Sequence, residues 1–249
     1  PLTLFHTDRP AVYEQDTHEL RLTKSGAGPV NLVAGLYYWD SSYQIDLVSY
    51  IGFITPDVLV IPQTVRQTNK SYAGFFELDY RFSDQIKLTV GGRYTRDEKT
   101  QGVRDLGFDF LDTPVEDSWE EFTPKAALSY TPNDDLLFYG LYSRGYRTGG
   151  FTGRPATENA ARTPFDPELV DNFEIGMKSE FLDRRLRFNA SVFHLIYDDK
   201  QEEFSVPAPV GTGQETRILN AASAKVTGVE LDITAAPTDG LTINATLGY

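Results

Sequence analysis

The sequence predicts an all-β protein, an antiparallel meander of about ten strands that forms an arc of a transmembrane β-barrel. Three observations carry this. Polar and apolar residues alternate through most segments. Short polar turns fall near Ala27, Asp84, Asn133, Arg184 and Asp239, about 57, 49, 51 and 55 residues apart, with long Gly/Pro/Asp-rich connections between them. No apolar run approaches the ~20 residues a membrane helix needs, whereas a barrel asks only alternate residues to face lipid, with short turns on one side and long loops on the other.

Strands are expected near 12–23, 31–43, 65–82, 86–101, 119–130, 136–148, 169–182, 185–203, 216–236 and 241–249. In the third, Tyr72, Phe76, Leu78, Tyr80 and Phe82 alternate with Glu77, Asp79 and Arg81; in the fourth, Ile86, Leu88, Val90 and Tyr94 oppose Lys87, Thr89, Arg93, Thr95 and Asp97. Phe173, Ile175 and Met177 stand against Glu174, Lys178 and Glu180 in the same way. So do Val229, Leu231 and Ile233 against Glu230, Asp232 and Thr234, and Leu241, Ile243 and Leu247 against Thr242, Asn244 and Thr246. The segments 31–39 and 136–143 are apolar on both faces, and alternation leaves their orientation open. Pro62, Pro114, Pro155, Pro164, Pro167, Pro207 and Pro209 are assigned to connections or strand starts, where a missing ladder N–H is tolerated.

Composition narrows the function. A net charge of −13 supplies no basic surplus for nucleic acid. With no cysteine, disulfides, thiolate catalysis and Cys-based metal sites are out. The 16 Phe and 14 Tyr suit strands and the aromatic girdles of a membrane barrel. No domain linker interrupts the hairpins, so residues 1–249 are read as one partial barrel domain. Pro1–His6 has neither the basic start nor the apolar core of a signal peptide. With short turns on the periplasmic side, both ends of this meander would lie outside, unlike an ordinary closed barrel, so the chain reads as an arc of a larger one.

Tyr142–Phe151 (YSRGYRTGGF) resembles the Y-S-x-G-[FY]-[KR]-x-G-G-F segment of TonB-dependent outer-membrane receptors. Pro167-Glu168 with Glu174-Ile175-Gly176-Met177-Lys178 is similar to their P-E…E-x-G-x-K strand. Arg187–Phe193 through Tyr197-Asp198-Asp199 and Asn220–Ser223 with Gly228-Val229-Glu230 follow in matching order, and Thr17–Leu22 with Gly35–Tyr38 fits an upstream hairpin. The resemblance implies the middle of a 22-stranded, plugged transporter of the bacterial outer membrane. Neither the plug with its energy-coupling box nor the final strands are recognised in these residues. It further implies uptake of a scarce nutrient, chiefly a ferric siderophore, with cobalamin, haem or oligosaccharide as other cargoes. A passive porin is the alternative outside the family. Expected partners are the small ligand, an inner-membrane energy-transducing complex reached through the N-terminal part, and outer-membrane lipid. No cofactor and no enzymatic activity are expected.

Candidate ligand-binding residues come from two stretches. The connection Asp46–Gln67 offers Tyr50 and Phe53 for stacking on aryl groups or for packing on neighbouring loops. The Gly-rich, locally basic stretch Gly145–Gly153 with its flanks offers Arg144, Tyr146, Arg147, Phe151 and Arg154. Those arginines either brace against acidic lumen neighbours or attract an anionic ferric chelate at the mouth. No catalytic or metal site is assigned. His6, His18 and His194 are far apart, and the adjacent carboxylates Glu120-Glu121, Asp134-Asp135, Asp198-Asp199 and Glu202-Glu203 are read as solvated turn and loop charges, since neighbours on a strand point to opposite faces and form no dyad.

Overall fold

A computed structural model describes residues 5–51, 59–207 and 214–249. One antiparallel sheet runs through them. Its strands are β1 (Phe5–Asp8), β2 (Ala11–Lys24), β3 (Val30–Ile51), β4 (Leu59–Arg81), β5 (Ile86–Arg104), β6 (Val115–Asn133), β7 (Leu136–Arg147), β10 (Glu168–Phe181), β11 (Leu186–Pro207), β12 (Gln214–Thr238) and β13 (Leu241–Gly248). The β7–β10 connection carries a two-residue pair, β8 (Gly150–Phe151) with β9 (Pro164–Phe165), and a single helical turn, α1 (Glu158–Arg162).

β1 and β2 both pair with β3, end to end, separated by Arg9-Pro10, so they amount to one interrupted strand and the meander has the ten passes expected. Pro10 cannot donate to the ladder, but its carbonyl accepts from the Asp46 amide at 3.0 Å, holding the two pieces in line. The sheet is an open arc with β2 and β13 at its edges, as expected of part of a barrel.

The five short turns lie where the sequence places them. Ser83 Oγ accepts from the amides of Gln85 and Ile86, and Asn133 Oδ1 from that of Asp135. Gly240 supplies the positive φ of the last turn, and Leu182, Asp183 and Arg184 all take positive φ to reverse β10 into β11.

Two sequence-based boundaries need correction. The connection assigned to Asp46–Gln67 is mostly strand, because β3 runs to Ile51 and β4 begins at Leu59. The stretch Gly145–Gly153 opens inside β7. Strict alternation does not apply to Asp134-Asp135, which form the turn between β6 and β7, or to Asp198-Asp199, because Asp199 adopts φ 53° at a bulge between Tyr197 and Lys200.

Register settles the two faces, including the segments left open above. One continuous series contains Leu20, Leu36, Gly74, Phe76, Leu88, Leu128, Phe138, Ile175, Val192, Val229 and Leu247, and it is the apolar face. The opposite series contains Glu77, Asp79, Lys87, Arg93, Lys125, Glu174, Lys178 and Glu230. Charges there find partners across strands, as Lys125 Nζ does with Glu77 Oε2 at 2.7 Å.

Aromatic pairs on the apolar face mark its upper edge: Tyr38–Tyr72, Tyr94–Phe122 and Tyr142–Phe173. Followed along the register, each pair sits lower than the one before, by two and then four residues. That is about one and a half residues per strand. At ~3.3 Å per residue and ~4.8 Å between strands it corresponds to a tilt of roughly 45°, a barrel's slant. A second aromatic follows eight positions further on β4, β6 and β10 (Tyr80, Tyr130, Phe181). Eight residues span about 26 Å along a strand and about 19 Å of height at that slant, somewhat less than the ~25 Å apolar band of outer-membrane barrels.

Candidate ligand-binding site

Above the aromatic edge the strands continue, and the β7–β10 connection folds back between their inner faces. Pro124 stands where β6 parts from β7, the ladder ending at Lys125–Ser143. Freed of that partner, the upper end of β7 leads into the connection. There a small apolar core forms from Val65, Val103, Phe110 and Ala161, with Ile45, Phe108 and Val115 against it. Thr157 caps α1 by accepting from the Ala160 amide, and the Arg162 guanidinium lies 3.9 Å from the centre of the Phe110 ring.

The walls hold this connection mainly by its backbone. Gln63 Nε2 donates to Pro155 O at 2.7 Å, Lys99 Nζ to Gly149 O at 2.7 Å and Gln101 Nε2 to Ala161 O at 2.7 Å. From the other side Gln201 Nε2 donates to Thr148 O at 3.0 Å and Asp166 O at 2.9 Å, and Asn220 Nδ2 to Asp166 O at 2.7 Å. Gln101 is fully buried and Gln201 nearly so. The connection thus bridges β4–β5 to β11–β12. Burial pushes the Lys99 amine down to about 8, with Asp97 opposing the shift and Arg147 adding to it. Trp119, 5.8 Å from Lys99 Nζ, closes that end.

Of the sequence candidates, Tyr50 lies in β3 opposite Val60, its ring stacked at 5.8 Å on His6, and Phe53 lies outside the described residues. Arg144 forms two bonds to Asp171, from Nε at 2.9 Å and Nη2 at 2.8 Å. Register puts that pair with Tyr142 and Phe173, in the outward series and not in the lumen. Arg147 approaches Glu168 at 3.9 Å. Tyr146 is half-buried, and its phenol is pushed up first by that burial. Phe151 is buried edge-on against Trp119.

Arg154 differs from these. Arg144, Arg147, Arg162, Lys200 and Arg217 each face a carboxylate, whereas Arg154 has no ion pair or hydrogen bond among the described residues. It is exposed and lines a cavity of about 490 Å³ with Tyr43, Ile45, Thr152, Gly153, Glu203, Thr216 and Ile218. Sequence reasoning missed Tyr43, Glu203 and Thr216. They belong to β3, β11 and β12, and no local signal links them; only the inward fold of the connection brings them together. The three histidines stay apart, His6 hydrogen-bonded to Asp8, His18 stacked on Tyr38 and His194 hydrogen-bonded to the Thr227 hydroxyl.

A family model described as "TonB dependent receptor-like, beta-barrel" matches residues 3–249. The chain is 29% identical over 131 residues to a probable TonB-dependent siderophore receptor, PiuA, of Acinetobacter baumannii, covering 51% of this chain and 16% of that receptor. To the ferripyoverdine receptor of Pseudomonas aeruginosa it is 23% identical over 221 residues, covering 86% and 25%. The chain thus spans a quarter or less of these relatives. Among solved structures, the ferric yersiniabactin uptake receptor FyuA from Yersinia pestis superimposes with a TM-score of 0.78 at 21% identity, over 98% of this chain and 36% of that one. The ferric preacinetobactin receptor BauA from Acinetobacter baumannii does so at 0.64 and 16%, over 98% and 37%.

Proposed function

The chain belongs to the TonB-dependent receptor-like β-barrel family, and from that premise we propose that it serves an energy-coupled receptor that takes up a ferric siderophore. Barrels of this family are outer-membrane proteins, and the family is one of transport receptors rather than enzymes. Residues 1–249 act as one partial barrel domain, with lipid on the apolar face. Energy comes from an inner-membrane complex that engages the receptor elsewhere than on these strands.

The observation that carries the reading is the agreement of fold over nearly the whole chain with receptors named for ferric siderophores. Polar residues line the inner face, the β7–β10 connection is fixed above them, and Arg154, which has no ion pair among the described residues, opens into a cavity there. Such a site binds and orients a preformed chelate; it makes and breaks no bonds. Of the candidate ligand residues, the reading takes Arg154, which lines the cavity, as the one that meets the cargo, with Arg144, Arg147 and Phe151 supporting the wall.

The test is uptake of radiolabelled iron(III) chelates by cells whose only outer-membrane iron receptor is the full gene product. Accumulation is expected in energised cells and should vanish when the proton gradient is collapsed. Uptake independent of the gradient would favour a passive pore.

A further inference from the structure

The inner-mouth cavity is lined by an arginine and a carboxylate that form no ion pair with each other. Arg154 stands on the β7–β10 connection and Glu203 on β11, and neither has an ion pair or hydrogen bond among the described residues. Tyr43, Thr152 and Thr216 add hydroxyl groups, and Ile45 and Ile218 add apolar wall. The backbone that presents Arg154 is held by side chains of the surrounding strands: Gln63 fixes the carbonyl of Pro155, the next residue, while Thr157 donates to the buried Glu215 on β12. A guanidinium on so constrained a loop is presented with little ordering left to do on binding. A planar guanidinium matches a carboxylate bidentately, and an exposed carboxylate matches an ammonium or N–H group.

We propose that this cavity selects cargo by its end group, recognising a chelate that carries an uncoordinated carboxylate next to a protonated amine, with Arg154 holding the carboxylate and Glu203 the ammonium. The inference rests on the uptake reading above and refines it from iron chelates in general to those with an aminocarboxylate end. Selection of this kind leaves the metal-binding core unread by this part of the site.

The test uses the full receptor purified in detergent and four iron(III) trihydroxamate chelates sharing one core. Their ends are closed in a ring, ammonium only, carboxylate only, or both. Quenching of intrinsic tryptophan fluorescence reports binding. The chelate with both ends should bind most tightly. Arg154→Ala should weaken the two carboxylate-bearing chelates by about ten- to a hundredfold, the range for hydrogen bonds to a charged group, and leave the ring-closed one unchanged. Glu203→Gln should do the same to the two ammonium-bearing chelates. Arg154→Lys, which keeps the charge, should restore part of the loss, and heat-modifiable gel mobility checks that each variant is folded. Wild-type binding indifferent to the ends, or a loss in Arg154→Ala shared equally by all four, would overturn the inference and leave the uptake reading standing. So would a receptor that takes up another iron chelate but binds none of these. A receptor that takes up no iron chelate at all would overturn both.

Discussion

A β-carbon added at Gly35 would sit 2.7 Å from the Leu20 carbonyl oxygen and 2.9 Å from Cε1 of Phe75, whereas one at Gly74 would meet only Leu36 Cδ2, at 3.8 Å. The first clash involves backbone and cannot be relieved by a rotamer change; the second is ordinary contact. Gly35→Ala should therefore lower stability by about 1–3 kcal/mol, and Gly74→Ala should be neutral or slightly stabilising. Urea midpoints of the folded receptor in detergent would separate the two. Lys99 gives a pH-dependent counterpart. Its amine is held at about 8 by burial, against ~10.4 for an unfolded lysine, so between those values the unfolded chain binds the extra proton and stability rises with pH. In a receptor whose other tryptophans are changed to phenylalanine, Trp119 emission should titrate with a midpoint of about 8, because Lys99 Nζ lies beside that ring. Lys99→Met should abolish both the titration and the rise. Neither effect is visible in the sequence. Every glycine looks alike there, and Lys99 reads as one more polar residue on an alternating strand until the connection folds over it.

At the scale of elements, the strands were legible because alternation is a local property of each one. The turns were legible because Gly, Asn, Asp and Ser announce them. The upper ends of β3 and β4 were not, since Pro62 and a two-sided apolar composition interrupt the period just where the hairpin outgrows the membrane. α1, a single turn, is too short for any helical period to show. In the sequence the β7–β10 connection shows only as a Gly-rich stretch with basic residues. What fixes it lies far away in sequence, in Gln63, Lys99, Gln101, Gln201 and Asn220. Replacing both Gln101 and Gln201 with Leu would leave three backbone carbonyls without these donors, at a cost of about 1–3 kcal/mol for each that stays buried. The expected result is faster amide hydrogen exchange confined to 148–167, with β10 and β11 unchanged within the membrane band. Exchange that stays as slow as in the wild type would show that the glutamines do not hold the connection.

At the scale of the whole molecule, the slanted aromatic edge ties the sheet to a membrane. Its slope was hidden in the sequence, because each strand alternates identically whatever its offset from the next; only the register of Tyr38–Tyr72, Tyr94–Phe122 and Tyr142–Phe173 displays it. Infrared dichroism of the full receptor in oriented bilayers should accordingly give a mean strand tilt of roughly 35–45°. Strands near parallel to the bilayer normal would contradict the register reading. The account turns on which series of residues meets lipid, and β4 tests it most directly. Residues 1–249 contain no cysteine, so in a receptor whose cysteines elsewhere, if any, are changed to serine, single cysteines can be placed from 71 to 80 in turn and spin-labelled in bilayers. Collisions with oxygen, which partitions into lipid, should be frequent at Tyr72, Gly74, Phe76, Leu78 and Tyr80 and rare at Ser71, Ala73, Phe75, Glu77 and Asp79. The opposite phase, or no period of two, would contradict a barrel with its charged face inward.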